Sequence, residues 1–290
     1  MSRFFLLVFV FLFVFSYVSD NTVHAEAHNE TDNIVFTEYY NPDANIIISN
    51  YYDNYIEILS SALENAELPK NISDNIKLNI DSDTAFINSL FIIMESDPYL
   101  WVLVDKVRPL SADYEPQDLI RLSNSSYRVN RADLYLRKIA ELSLDEMASA
   151  AREEGLTLIV ISAYRTYGYQ ADLYARYVSQ MGQREADRVS ARPGHSQHQL
   201  GTTVDFNSIS STFATTRESR WLTANASRFG WSLSYPQGFE HITGYIWESW
   251  HYRYVGKDLA EFIDKYFEGI QQYALRFIHE YINIFNISAD

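Results

Sequence analysis

The chain has 290 residues, 47% of them hydrophobic, enough for one main domain with a substantial core and smaller flanking pieces. A formal net charge of −15 argues against a nucleic-acid partner, because holding phosphates relies on clustered Lys and Arg. The absence of cysteine excludes thiol nucleophiles, disulfides and cysteine-ligated zinc, so any bound metal must use His, Asp or Glu.

At the N-terminus, Arg3 precedes an apolar run from Phe4 to Val18 broken only by Ser16 and Tyr17, and V-H-A ends at Ala25. The run is short for a span that needs roughly 20 residues, so residues 1–25 read as a secretory signal peptide, with an uncleaved membrane anchor through residues 4–18 as the alternative. Either places the rest of the chain outside the cytoplasm. From Asn29 to Asp97 the sequence is rich in Asn, Asp and Tyr, and Ile56, Leu59 and Leu63 carry the spacing of an amphipathic helix. The run Tyr99–Val104 looks like a strand.

Residues 132–155 read as one long helix with Leu134, Ile139, Leu142 and Met147 on its apolar face and Gly155 as its cap. The β-branched run of residues 156–164 predicts a buried strand, and residues 167–180 a helix. A Pro-Gly pair marks residues 191–196 as a loop, TTVDF as the strand after it, and RESRWLTANASRFG as a helix stopped at Gly230. WSLSY and WHYRYV complete the strands. In the tail, Phe262, Tyr266, Ile270, Tyr273, Phe277 and Tyr281 repeat at helical spacing and form a packing face. Interleaving without βαβ regularity points to an α+β fold, a small antiparallel sheet flanked by helices.

One stretch, GHSQHQLGTTVDF (residues 194–206), concentrates chemistry. Strand alternation sets Thr203 and Asp205 on one face and Val204 and Phe206 on the other, so Asp205 can face a cleft while Val204 fills the core. Downstream, Glu248-Ser-Trp-His251 supplies a second imidazole, but Glu248 has the wrong parity for a straight strand and needs a bend near Ser249 to join His251. Two imidazoles and a carboxylate give three ligands to a tetrahedral metal and leave one position for water. An additional carboxylate can then take a proton from that water, whose pKa the metal lowers toward ~7. His198, Asp205, His251 and Glu248 can fill those roles. Read alone, the His-x6-Asp and Glu-x-x-His pairs also suit ordinary hydrogen-bonding residues at the edge of a core.

The blocks SAYRTYGYQADLY, RPGHSQHQLGTTVDF and ESWHYRYVG resemble the signatures of the VanY-type D-alanyl-D-alanine carboxypeptidase family, zinc peptidases of the LAS group that trim peptidoglycan stem peptides. LVDKVRPLSADYEPQDLIRL resembles the opening of that catalytic domain, and the likeness covers roughly Leu100 to Gly256. The resemblance implies a Zn2+ cofactor held by His198, Asp205 and His251, Glu248 as general base, and Arg165 as stabiliser of the developing oxyanion. It further implies that Tyr164, Gln170 and Ser196 contact substrate. Where the family commonly has Glu, this chain has Gln197, a departure expected to leave the ligands untouched and to bear on specificity. Arg192 and Arg253 stand as candidates to attract a substrate carboxylate.

The expected organisation is a leader (1–25), a helical accessory region (26–98), a LAS-type zinc carboxypeptidase domain (99–262) and a C-terminal helical extension (263–290). The expected enzyme is exported to a bacterial cell envelope and removes a terminal D-alanine from stem peptides, with the choice among D,D-, L,D- and endopeptidase cleavage left open. A non-catalytic zinc domain similar to Hedgehog-type signalling domains is the competing reading, and Glu248 and Arg165 argue against it.

Overall fold

A computed structural model describes residues 55–82 and 84–288, so the expected leader and residues 26–54 lie outside the described residues. Two compact units emerge, one of residues 64–280 and a smaller one holding described residues 55–63 and 281–288. In the smaller unit the Tyr55 and Tyr281 rings meet edge to face with centroids 6.2 Å apart. Residues 55–65 form a helix, as the Ile56, Leu59, Leu63 spacing predicts. None of the described helices is long and apolar enough to cross a membrane.

The larger unit is built on a five-stranded sheet. Its strands are β2 (Arg128–Val129), β4 (Ile159–Ser162), β5 (Thr203–Phe206), β6 (Trp231–Leu233) and β7 (His251–Tyr254), in the order β2-β4-β5-β7-β6. All neighbours are antiparallel except β2 and β4. A separate antiparallel pair joins β1 (Leu119–Arg121) to β3 (Tyr135–Arg137). This is the expected α+β architecture with a small, mostly antiparallel sheet.

Helix packing supplies the other layer. Residues 132–155 do not form one helix: β3 takes their start, and α1 begins only at Lys138 and runs to Glu153. Its buried face is Ala140, Ser143, Leu144, Met147, Ala148 and Ala151, while Ile139 and Leu142 are exposed. Leu134 is buried, but ahead of the helix. The apolar positions chosen from the sequence thus merge a strand and a helix, whose two periods cannot be separated when they abut. Leu144, Met147, Val160, Val204, Phe206 and Trp231 share one core. Large-to-small substitution at such positions typically costs about 2–5 kcal/mol.

Tyr99–Val104 is not a strand. Pro98–Trp101 makes a single helical turn whose start Asp97 caps through its side chain, with Pro at the first helical position. The buried Arg253 guanidinium donates to the carbonyls of Tyr99, Leu100 and Val102, satisfying the end of that turn. Arg253 is therefore a structural clamp with no access to substrate. The tail comprises two helices, Lys257–Tyr266 and Gln271–Ser288, interrupted near Gly269 at φ 75°. Its expected packing face holds, since Phe262, Tyr266, Ile270, Tyr273, Phe277 and Tyr281 are all buried.

Candidate active site

Local sequence explains how each site residue is placed. Ser196 caps the short 3-10 turn Gln197–Leu200 by accepting from the His198 N–H at 3.3 Å. Gly201 ends the turn at φ +69°, where a Cβ would lie 3.0 Å from the side chains of Arg137 and Leu119, so only glycine lets the chain turn straight into β5. Within β5, Val204 and Phe206 enter the core and Asp205 turns to the opposite face, as alternation requires. The register pairs Asp205 with His251 across β5 and β7, so two of the candidate ligands are direct cross-strand neighbours.

The bend that Glu248 needs is present. The His251 N–H donates to the Glu248 carbonyl at 3.1 Å, closing a turn through Ser249 and Trp250 before β7 begins. The Glu248 carboxylate thereby comes to 3.3 Å from His251 Nδ1.

Ligand atoms of His198, Asp205 and His251 lie within 4.8 Å of one another, and all three residues are buried. His198 Nδ1–H donates to the Ala163 carbonyl at 2.7 Å, an acceptor without a proton, which leaves Nε2 to face Asp205 at 3.3 Å. His251 presents Nδ1 to Asp205 Oδ1 at 3.2 Å. Buried Asp205 Oδ1 has no hydrogen-bond partner among the described residues, which is costly in a metal-free protein and expected of a ligand oxygen. Three donors converging from two imidazoles and one carboxylate, with an orphaned buried oxygen among them, fit a zinc ion.

Electrostatics follow from burial and from these neighbours. Burial, reinforced by the Arg165 charge, pushes His198 down to about 4, so the ring is neutral and able to ligate. Burial also opposes charge on His251, but Asp205 and Glu248 outweigh it and raise the imidazole above its ordinary value. Burial would raise Asp205 too, yet the two histidines hold it well below the carboxylate range. Glu248 goes the other way: burial raises its carboxyl, the direction that suits a base working near neutral pH.

Arg165 donates to Asp205 Oδ2 at 2.9 Å and to Ser162 Oγ, and it lines the same cleft. That cleft encloses about 280 Å³ and is bordered by His198, Asp205, Glu248, His251 and Ser196 on the polar side. Leu173, Tyr177, Met181, Ile209 and Ile246 add apolar lining. Tyr164 and Gln170 do not line it. Gln170 is buried, donates to the Ala191 carbonyl at 2.7 Å and accepts from Arg165, so it braces the arginine from behind. Arg192 faces solvent and pairs with Asp187.

Gln197 reverses an expectation. It is buried, and its Oε1 lies 3.3 Å from His251 Nε2, so it touches a candidate ligand directly and does not face the cleft. The sequence also gave no sign of Tyr235 and Tyr245, whose rings are 4.7 Å apart, with Tyr235 against His251 at 4.6 Å. Lys106 sits over the Tyr245 ring at 3.4 Å. Aromatic residues are so abundant here that no local signal separates these two from core rings.

Comparison with known proteins bears on the whole arrangement. The sequence model of the family described as VanY, D-alanyl-D-alanine carboxypeptidase, matches residues 133–257. A putative carboxypeptidase, YodJ of Bacillus subtilis (strain 168), is 32% identical over 225 residues, covering 71% of this chain and 82% of the relative. The chain belongs to the VanY family. Among solved structures, the LdcB LD-carboxypeptidase is similar at 34% identity, with a TM-score of 0.53 over 59% of this chain and 86% of that one. A mutant of the vancomycin-resistance D,D-pentapeptidase VanY in complex with Zn(II) is similar at 32% identity, with a TM-score of 0.51 over 64% of this chain and 99% of that one. The VanY-family match encloses every candidate ligand, the candidate base and Arg165, while the helix from Gln271 lies beyond it.

Proposed function

We propose that this VanY-family chain is an exported zinc carboxypeptidase that removes the C-terminal D-alanine from peptidoglycan stem peptides. The observation that carries the reading is the convergence of His198, Asp205 and His251 on the lining of the cleft with Glu248 alongside them. Bound there, zinc supplies a Lewis acid that polarises the scissile carbonyl and acidifies a water.

The chain's own residues supply the remaining work. Glu248, its carboxyl raised by burial, accepts the proton of the attacking water and later delivers it to the leaving amine of D-alanine. Arg165 orients Asp205 by donating to its Oδ2, and its guanidinium offers charge to the carbonyl oxygen as negative charge develops there. Gln170 fixes Arg165 from behind, and Ser196 borders the space where the peptide lies. The apolar side chains of Leu173 and Tyr177 on the cleft lining receive the hydrocarbon of the substrate. A purely binding zinc domain has no use for Glu248 and Arg165 in the cleft, which favours the hydrolytic reading. Export rests on the apolar run Phe4–Val18 followed by V-H-A.

Both an LD-carboxypeptidase and a D,D-pentapeptidase are among the similar structures, so the scissile bond is the finer question. Muropeptides of defined stem length, incubated with the zinc-loaded protein and read by mass spectrometry, decide both activity and bond. Loss of one terminal alanine from a pentapeptide supports D,D cleavage, and loss from a tetrapeptide supports L,D cleavage. No shortening of any stem by protein that holds stoichiometric zinc sinks the proposal.

A further inference from the structure

Behind His251, away from the cleft, runs a chain of amides with a fixed direction. It starts at the Ser232 backbone carbonyl in β6, which can only accept, and Gln271 Nε2 donates to it at 3.3 Å. With its amino group committed there, Gln271 turns Oε1 toward Gln197, whose Nε2 donates to it at 3.2 Å. Gln197 is thereby left with only its own Oε1 to offer His251, and Ser234 Oγ donates to that same oxygen at 2.7 Å. His251 Nε2 lies 3.3 Å from it. An acceptor facing Nε2 demands Nε2–H, and an imidazole protonated there presents the Nδ1 lone pair to Asp205 and Glu248.

We propose that Gln197 and Gln271 are positioning residues that lock the tautomer of His251, so that Nδ1 is always the nitrogen offered to the metal. The proposal rests on the zinc reading above. Its direction is set by a backbone carbonyl two amides away, and the Thr203 hydroxyl holds the Gln197 backbone by donating to its carbonyl at 3.1 Å. Both glutamines and Ser234 are buried, so water does not compete for these bonds. The pair is also matched. A carboxylate at 197 would satisfy His251 and Ser234 but turn its second oxygen onto Gln271 Oε1, and flipping Gln271 would then set an oxygen against the Ser232 carbonyl. Gln197 lies inside the segment 133–257 that matches the family and Gln271 beyond it, so the relay joins the family segment to the tail helix.

The test measures zinc affinity by competition with a chromophoric chelator for the full chain and for Gln197→Met, Gln271→Met and the double variant. It also records the ring 1H–15N spectrum of zinc-loaded wild type. The expected results are an Nε2–H proton on His251, a loss of affinity of about 10- to 100-fold in Gln197→Met, a smaller loss in Gln271→Met, and a double variant no worse than Gln197→Met alone. Gln197→Glu is expected to bind zinc less well than wild type and to regain affinity when Gln271→Lys gives its second oxygen a donor.

A wild-type ring protonated on Nδ1 with Nε2 on zinc overturns the proposal. So does wild-type affinity in a folded Gln197→Met, or simple additivity of the two losses. If Gln197→Met does not fold, the ring spectrum of wild type and the affinity of Gln271→Met decide: a protonated Nδ1, or an unchanged affinity, overturns it. Zinc binding by wild type with unaltered variants defeats the relay alone, whereas failure of wild type to bind zinc defeats the metal site and the relay together.

Discussion

Glu248 and His251 are three residues apart on one turn, and the chemistry assigns them separable jobs. Glu248→Gln keeps the side-chain volume and removes the base, so zinc stoichiometry should persist while kcat falls by about 10²- to 10⁴-fold. His251→Ala should lose zinc as well, leaving both elemental analysis and turnover low. Near-full turnover in Glu248→Gln removes the base from that residue. Farther out, burial depresses the Lys106 ammonium from 10.5 to about 8. Between those values the unfolded chain binds more protons than the folded one, so this group makes stability rise with pH across that window. The slope of denaturation midpoint against pH between 8 and 10 should therefore be less positive in Lys106→Met than in wild type. Equal slopes would show that the ammonium is not desolvated. Site residues differ in how far the sequence reveals them. His198, Asp205 and His251 were legible because their blocks resemble the VanY-type signatures, their spacing alone also suiting ordinary hydrogen-bonding residues, while the turn at Glu248 follows from a parity mismatch. The contact of Gln197 with Gln271 does not, because it joins residues 74 apart through the docking of a tail helix, and no local period encodes that.

At the scale of elements, boundaries were legible where a residue with special backbone demands marks them. Gly201 and Gly230 both adopt left-handed φ and end 3-10 turns that lead into strands. A Cβ on Gly230 would stand 2.8 Å from the Gly256 carbonyl carbon, so Gly230→Ala combines strained φ with a backbone clash. It should cost more than about 1 kcal/mol in urea denaturation; a midpoint within error of wild type would mean that the strand entry yields. Boundaries were illegible where propensities overlap. Apolar residues on either side of Lys138 merge a strand into a helix, and the Pro98–Trp101 turn depends on Asp97 and on Arg253, a side chain more than 150 residues away that satisfies its carbonyls.

For the molecule as a whole, burying an acidic side chain between two imidazoles is costly unless a cation completes the group. Zinc at about 100 times its Kd should add ~2.7 kcal/mol of stability, and a chelator should remove it, shown by a concentration-dependent Tm. A Tm indifferent to zinc and chelator would count against a resident metal. The α+β class was readable from alternation and interleaving, because the sheet obeys those rules in β5 and β7. How the flanks divide was not: the compact units part near residues 63 and 280, positions without a Pro, Gly or charge boundary in the sequence.

Asp205 and His251 face each other on β5 and β7, two of the three strands with a neighbour on both sides. Two of the three candidate ligands are thus fastened to the part of the sheet whose amides should exchange with solvent most slowly. Unlike an enzyme whose reactive groups ride on a mobile loop, this one should have no inactive but folded intermediate along a urea titration: curves of inactivation and of lost ellipticity should superimpose.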